Sequence, residues 1–232
     1  MENKVISVAL VDDHTMFRQG ISRLLAEQSE ISVLFDAANG ADMKDKILSF
    51  GLPDVILMDI TMPVMNGYDA TIWLKQNHPT VQVLALSMFE EDGPILKMLK
   101  NGAGGYILKQ SKASDLLYAI KTIAEHGFFL NNQVSGKLLR SIQDDNLNTA
   151  PIDELTANEV RFLELCCSEL TYKEIADKMC LSPHTIDNYR DSIFTRFELK
   201  SRTGLVLFAL KNKIASFWHD LQKTVMYQAL LV

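Results

Sequence analysis

Residues 5–13 read VISVALVDD, an apolar run that ends on two adjacent carboxylates, and this junction decides the fold of the amino-terminal half. A short run of small and β-branched residues bounded by charge is the pattern of a strand buried on both faces of a parallel sheet. Two further strand-like runs end the same way: Asp54–Met58 stops at Asp59, and Gly105–Leu108 stops at Lys109. In an open α/β sheet the carboxyl ends of the strands share one edge, where ligands bind. Three acids (Asp12, Asp13, Asp59) and one ammonium (Lys109) therefore converge on one crevice. Such a cluster is unfavourable unless a divalent cation sits among the acids and the lysine meets an incoming anion. That chemistry suits a site that accepts a phosphoryl group.

Working outward, strands are expected at Val5–Val11, Ile31–Asp36, Asp54–Met58, Val81–Ser87 and Gly105–Leu108, with amphipathic stretches near 15–28, 40–50, 66–77, 90–101 and 113–126. Alternation of this kind predicts a doubly wound, five-stranded parallel sheet with helices on both faces. No Gly-rich loop follows the first strand, which argues against a dinucleotide or P-loop site. Residues 140–152 (RSIQDDNLNTAPI) are polar and lack a period, as a linker does. From Leu155 the pattern is all-helical. Thr156 with Glu159 forms a capping box for a helix to about Leu170, and Thr171 caps a short second helix. Ser182-Pro183 opens a third helix to about Phe197, and a fourth starts near Ser201. This arrangement contains a helix-turn-helix, a DNA-binding unit.

The 232 residues suit two domains. No run is long and apolar enough to span a membrane, and no leader-like segment opens the chain, so a cytoplasmic protein without membrane contact is expected. Cys166, Cys167 and Cys180 are odd in number and lack metal-ligand spacing, which reads as free thiols. The net charge is −6. Residues 1–150 hold 13 basic against 18 acidic side chains, whereas residues 185–213 hold 6 against 3, so any grip on nucleic acid must be focused.

The segments VDDHTMFRQG, MDITMPVMNG, LALSMF and GYILK closely resemble the receiver domain of bacterial response regulators. The resemblance implies a flavodoxin-like domain over 1–128 in which Asp59 takes a phosphoryl group from a sensor histidine kinase. It also implies Mg²⁺ held by Asp12, Asp13, Asp59 and the Thr61 backbone carbonyl, with Lys109, Ser87 and Tyr106 as phosphoryl-stabilising and switch residues. Met88 stands where relatives carry a small residue and is expected to roof the crevice partly, and Gln110 replaces the proline that often follows the lysine.

LTANEVRFLEL, LTYKEIADKM, LSPHTIDNYRDSIFTRF and LKSRTGL resemble the four-helix DNA-binding domain of NarL/FixJ and LuxR-type regulators, here 153–213. Ile186, Tyr189, Ile193 and Phe197 recur at helical spacing and should face the core, leaving Asp187, Asn188, Arg190 and Asp191 outward. DNA contacts are expected from Lys173, Ser182, His184, Thr185, Asp187, Asn188, Arg190, Asp191, Lys200 and Arg202, with Arg196 adding attraction. The two aspartates depart from relatives with lysine at such positions; carboxylates accept from cytosine N4 but repel phosphates. Residues 129–152 form an expected helical extension and linker. Residues 214–232 form an amphipathic tail whose apolar stripe is Ile214, Phe217, Trp218, Leu221 and Val225.

The sequence therefore predicts a transcription factor rather than an enzyme. It would bind double-stranded DNA as a homodimer when phosphorylated, with RNA polymerase a further candidate partner. One alternative is a phosphorylated regulator whose helical domain binds protein instead of DNA. An aspartyl phosphohydrolase fits less well, since it needs Asp-x-Asp directly after the first strand.

Overall fold

In the computed structural model, which describes residues 5–88, 92–129 and 155–215, the apolar runs of the first half pair as the sequence predicts. The strands are β1 (Ile6–Val11), β2 (Ile31–Ala37), β3 (Val55–Asp59), β4 (Gln82–Ser87) and β5 (Gly105–Leu108). They form one parallel sheet in the order β2-β1-β3-β4-β5. Between and after them run α1 (Thr15–Ala26), α2 (Gly40–Phe50), α3 (Gly67–Asn77), α4 (Asp92–Lys100) and α5 (Ala113–His126).

Side chains alternate across a strand, so each strand serves two cores. Val8, Leu10, Val55, Leu57, Leu84, Leu86 and Ile107 pack with Leu25 of α1 and with Leu116, Ala119, Ile120 and Ile123 of α5. The alternate residues Ala9, Val11, Ile56, Met58, Val83, Ala85 and Tyr106 are also buried, which accounts for the lack of polar interruptions in the runs. The chain changes partner across β1, whose neighbours are β2 and β3. That is a topological switch point, and the crevice beyond it is where such sheets bind ligands.

The helical unit comprises α6 (Ala157–Cys166), α7 (Tyr172–Met179), α8 (Pro183–Phe197) and α9 (Arg202–Lys211). Thr156 and Thr171 each complete a capping box, with Glu159 and Glu174 respectively. Ser182 caps α8 ahead of its first-turn proline. Cys180 adopts a left-handed conformation (φ 55°) that ends α7 and turns the chain toward α8. The core gathers Phe162, Leu163, Cys166, Ile175, Ala176, Ile186, Ile193, Leu205, Phe208 and Ala209, with Tyr189 and Phe197 packed against it. All four residues predicted to face inward on the third helix therefore do so. Burial pushes the Cys166 thiol up to about 12, as befits a structural cysteine.

One boundary of the helical unit differs by a full turn. The first helix of this unit stops at Cys166 rather than near Leu170. Ser168 Oγ donates to the Leu165 carbonyl, and Arg202 takes the carbonyls of Cys166 and Ser168, so the chain turns early and frees Thr171 to cap α7. Most of the expected linker (130–152) and tail (216–232) lies outside the described residues. Ile214 and Ala215, at the start of the tail, pack against the helical core.

Gly67 fixes the geometry around Asp59. A Cβ built there would lie 2.1 Å from the Asp59 carbonyl oxygen and 3.0 Å from Ile60 Cα, both backbone atoms that cannot swing aside. The Gly67 N–H also donates to the Ile60 carbonyl at 2.9 Å, pinning α3 onto the end of β3. Gly67→Ala should destabilise the amino-terminal unit by ~1–3 kcal/mol or more in urea unfolding. Unchanged stability would show that the junction yields.

Candidate functional site

The crevice is built from the ends of four strands. Asp12 and Asp13 follow β1, Asp59 ends β3, Ser87 ends β4 and Lys109 follows β5. The register sets these ends level: Asp59 pairs with Leu86, Ser87 with Leu108, and the Lys109 N–H donates to the Ser87 carbonyl at 2.8 Å. Lys109 Nζ lies 2.6 Å from Asp12 Oδ2 and 3.1 Å from Asp59 Oδ2, with all three side chains nearly buried. The Phe17 ring of α1 supports the same ammonium at 4.9 Å. Asp59 Oδ1 accepts from the Ile60 N–H at 2.9 Å.

Asp59 is held above the ordinary carboxylate value. Burial is the main cause and the Asp12 charge the second; Lys109 and the Ile60 N–H oppose them without cancelling them. Its ionised form is thus under-stabilised in the fold, a state that an added cation would relieve.

The donor set fits a hard divalent ion. Ligand atoms of Asp12, Asp13, His14 and Asp59 all lie within 4.8 Å of one another. Asp12 Oδ2 is buried with the Lys109 ammonium at 2.6 Å on one side, and a carboxylate oxygen keeps a second lone pair for a cation. Carboxylate oxygens at this spacing suit Mg²⁺ or a similar ion. Thr61, whose carbonyl was expected to complete the set, is exposed in the loop two residues beyond Asp59.

Ser87 and Tyr106 are each about 1% exposed, Ser87 at the crevice and Tyr106 on β5. Met88, expected to roof the crevice partly, follows Ser87 and is 66% exposed. Gln110 follows in the turn after Lys109.

Three residues of the site were not singled out in the sequence. His14 Nδ1 lies 3.1 Å from Asp12 Oδ1 and 2.9 Å from Asp13 Oδ1, while its backbone N–H donates to Asp12 Oδ1. Arg18 donates to the Asp12 carbonyl and to Asp36, tying down the turn that carries the acids. With Phe17 they occupy the cap and first turn of α1, and the helical spacing of His14, Phe17 and Arg18 directly after a strand end was the available signal.

On the helical unit, Lys173, His184, Asn188, Asp191 and Lys200 are exposed. Ser182 Oγ accepts from the Thr185 N–H, so both residues serve the cap of α8. Arg190 is not free. Its Nη1 lies 2.8 Å from Asp187 Oδ1 and its Nε 2.9 Å from Asp191 Oδ1. Arg196 pairs with the buried Glu159 at 2.6 Å. Arg202 requires a correction. It is 3% exposed, bonds the carbonyls of Cys166 and Ser168, and lies over the Tyr172 ring, so it closes α6 instead of facing a phosphate.

Residues 8–121 match the family described as response regulator receiver domain, and residues 153–209 match bacterial regulatory proteins, luxR family. The chain is 32% identical over 226 residues to the transcriptional regulatory protein DegU of Brevibacillus brevis, covering 91% of this chain and 95% of that protein. It is 33% identical over 218 residues to the oxygen regulatory protein NreC of Staphylococcus aureus (strain JH9), covering 91% of this chain and 100% of that one. A crystal structure of a LuxR-family two-component response regulator from Aurantimonas sp. SI85-9A1 superposes with a TM-score of 0.55 at 27% identity. That match covers 60% of this chain and 98% of the other.

The electrostatics of Asp59 give a signed expectation. A carboxyl whose folded value is raised binds a proton more readily in the fold than in the unfolded chain. Ionised Asp59 therefore costs stability, and the cost grows as pH rises from its ordinary 3.8 through the raised value. Asp59→Asn should raise the melting temperature at neutral pH without metal, and the gain should vanish in acid. Mg²⁺ should stabilise the native chain by mass action and the variant much less. Equal Mg²⁺ responses would remove Asp59 from the cation site.

Proposed function

Because the chain belongs to the response regulators that join a receiver domain to a LuxR-type DNA-binding domain, we propose that Asp59 is the phosphoacceptor through which a sensor histidine kinase controls its binding to DNA. Lys109 carries this reading: one buried ammonium lies within 3.1 Å of Asp59 and 2.6 Å of Asp12, placed to meet charge on a group arriving at Asp59.

In the proposed transfer an Asp59 carboxylate oxygen attacks phosphorus, the nitrogen–phosphorus bond of the kinase phosphohistidine breaks, and the imidazole leaves with the bonding pair. Little covalent work falls to the protein, so positioning and charge neutralisation supply the rate. The Ile60 N–H orients one Asp59 oxygen and leaves the other toward Lys109. Ser87 offers a hydroxyl at the neighbouring strand end, and Tyr106 one strand further is the proposed aromatic switch. Asp12, Asp13, Asp59 and the Thr61 carbonyl would hold Mg²⁺, which when bound neutralises phosphoryl charge. The receiver thus promotes its own phosphorylation and dephosphorylation, while the chain as a whole is a transcription regulator and not an enzyme.

For DNA we propose α8 as the reading helix, with His184, Thr185, Asp187, Asn188 and Asp191 toward base edges and Lys173 and Lys200 toward phosphates. A single small unit with so few exposed cations grips weakly, so a phosphorylation-induced homodimer doubling the contacts is part of the reading. RNA polymerase contact and action in the cytoplasm complete it, with 129–152 as linker and 214–232 as a tail. The engaged state of Arg190, Arg196 and Arg202 favours a second reading, in which the helical unit meets a protein partner instead.

Asp59→Asn should abolish acid-labile labelling by a small phosphodonor with Mg²⁺, along with the donor-dependent rise in DNA affinity. Lys109→Ala should keep part of the labelling and lose the rise. Donor-dependent DNA binding that survives Asp59→Asn would overturn the assignment, and no duplex binding in either state would favour the protein-partner reading.

A further inference from the structure

Every arginine described in the helical unit is held within it. Arg161 donates to the Lys178 carbonyl at 3.4 Å, Arg196 meets Glu159, and Arg202 is buried against the end of α6. Arg190 differs, because it stands on the helix proposed to read DNA and its partners stand on that helix too. Asp187 lies three residues before it and Asp191 one after, and they take Nη1 and Nε respectively. The guanidinium carbon lies 5.6 Å from the centre of the Tyr172 ring of α7.

An exposed ion pair is ordinarily worth little. This one is better held, since the Arg190 side chain is only 28% exposed, two of its donors are committed to carboxylates and a ring backs it. Charge-assisted bonds of this kind must be broken before a phosphate can take the same donors. The cluster carries a net charge of −1, from two carboxylates and one guanidinium, on the helix proposed to read DNA.

We propose that Asp187 and Asp191 are specificity-determining residues that clamp Arg190 away from the sugar–phosphate backbone and so suppress binding to arbitrary duplex. The proposal rests on the DNA-binding reading above. Sequence-independent affinity comes from cations that neutralise phosphates and release counterions. An arginine already neutralised inside the protein releases none, and its two carboxylates repel the backbone. Base-edge contacts need no net charge, and carboxylates accept from cytosine amino groups. The clamp therefore weakens non-specific binding more than specific binding and raises the ratio between them.

The test uses the full-length chain, a random-sequence duplex, and a duplex that the native chain selects from a random pool, with anisotropy read across a salt series. Asp187→Asn with Asp191→Asn should tighten random-duplex binding and steepen the salt slope by about 0.9, equivalent to roughly 3.5-fold more loss between 50 and 200 mM salt. The selected duplex should gain less, so the specificity ratio falls. Adding Arg190→Gln should erase the gain, whereas Arg190→Gln in the native background should weaken random-duplex binding far less. Asp177→Asn with Glu164→Gln removes two exposed carboxylates elsewhere on the unit and should leave the slope as it was. Asp191→Asn alone, at a well-exposed side chain, repeats the test if the pair fails to fold. An equal Arg190→Gln effect in both backgrounds, or an equal gain in the charge control, overturns the clamp. A selected duplex bound with unaltered slopes in the variants overturns the clamp alone. A native chain that selects no duplex, with variants that bind none, overturns the DNA-binding reading with it.

Discussion

Three nearly buried charges at one edge of a sheet, Asp12, Asp59 and Lys109, set the terms for the amino-terminal unit. Removing an ion from water costs several kcal/mol even after relaxation, and mutual attraction offsets this only when the geometry is good. The geometry here is a consequence of strand register, because β1, β3 and β5 must end level for the ammonium to reach both carboxylates. Gly67 lets α3 start against the Asp59 carbonyl, Arg18 anchors the turn that carries Asp12, and Phe17 backs the lysine. The compensation is incomplete, since Asp59 stays above its ordinary value. An active residue left short of partners is a common reason for a site to be less stable than its scaffold could make it.

The helical unit solves the opposite problem. Its nine lysines and arginines over 155–215 are nearly balanced by eight acids, and it spends its arginines on its own architecture. Arg202 satisfies carbonyls at the end of α6, where an unpaired buried acceptor would cost ~1–3 kcal/mol. Arg196 neutralises Glu159, the acid that completes the cap of that helix and is buried in doing so. Lysines such as Lys173 and Lys200, which are exposed, remain uncommitted to that architecture.

Much of this was legible in the sequence because the features are local or periodic. Apolar runs that end on charge give the strands and the site at once, and Thr156-x-x-Glu159, Thr171-x-x-Glu174 and Ser182-Pro183 give three helix starts. What could not be read depends on contacts between segments distant in the chain. Nothing near Arg202 says that its guanidinium reaches back to Cys166 and Ser168, so an arginine beside a helix start reads as a DNA contact until the fold buries it. The same applies to Arg196 with Glu159. The Asp187–Arg190–Asp191 grouping was visible as three charges, and its closure depended on rotamers and on Tyr172.

The central claim is that the charge cluster makes Asp59 the acceptor of a phosphoryl group. The most direct measurement is reductive trapping of the phosphorylated chain with borohydride, which converts an acyl phosphate on aspartate to homoserine, followed by peptide mapping. Homoserine at position 59 alone, dependent on phosphodonor and divalent cation, is the predicted result. Homoserine at Asp12 or Asp13, or phosphate on a hydroxyl or imidazole that survives without forming homoserine anywhere, would contradict it.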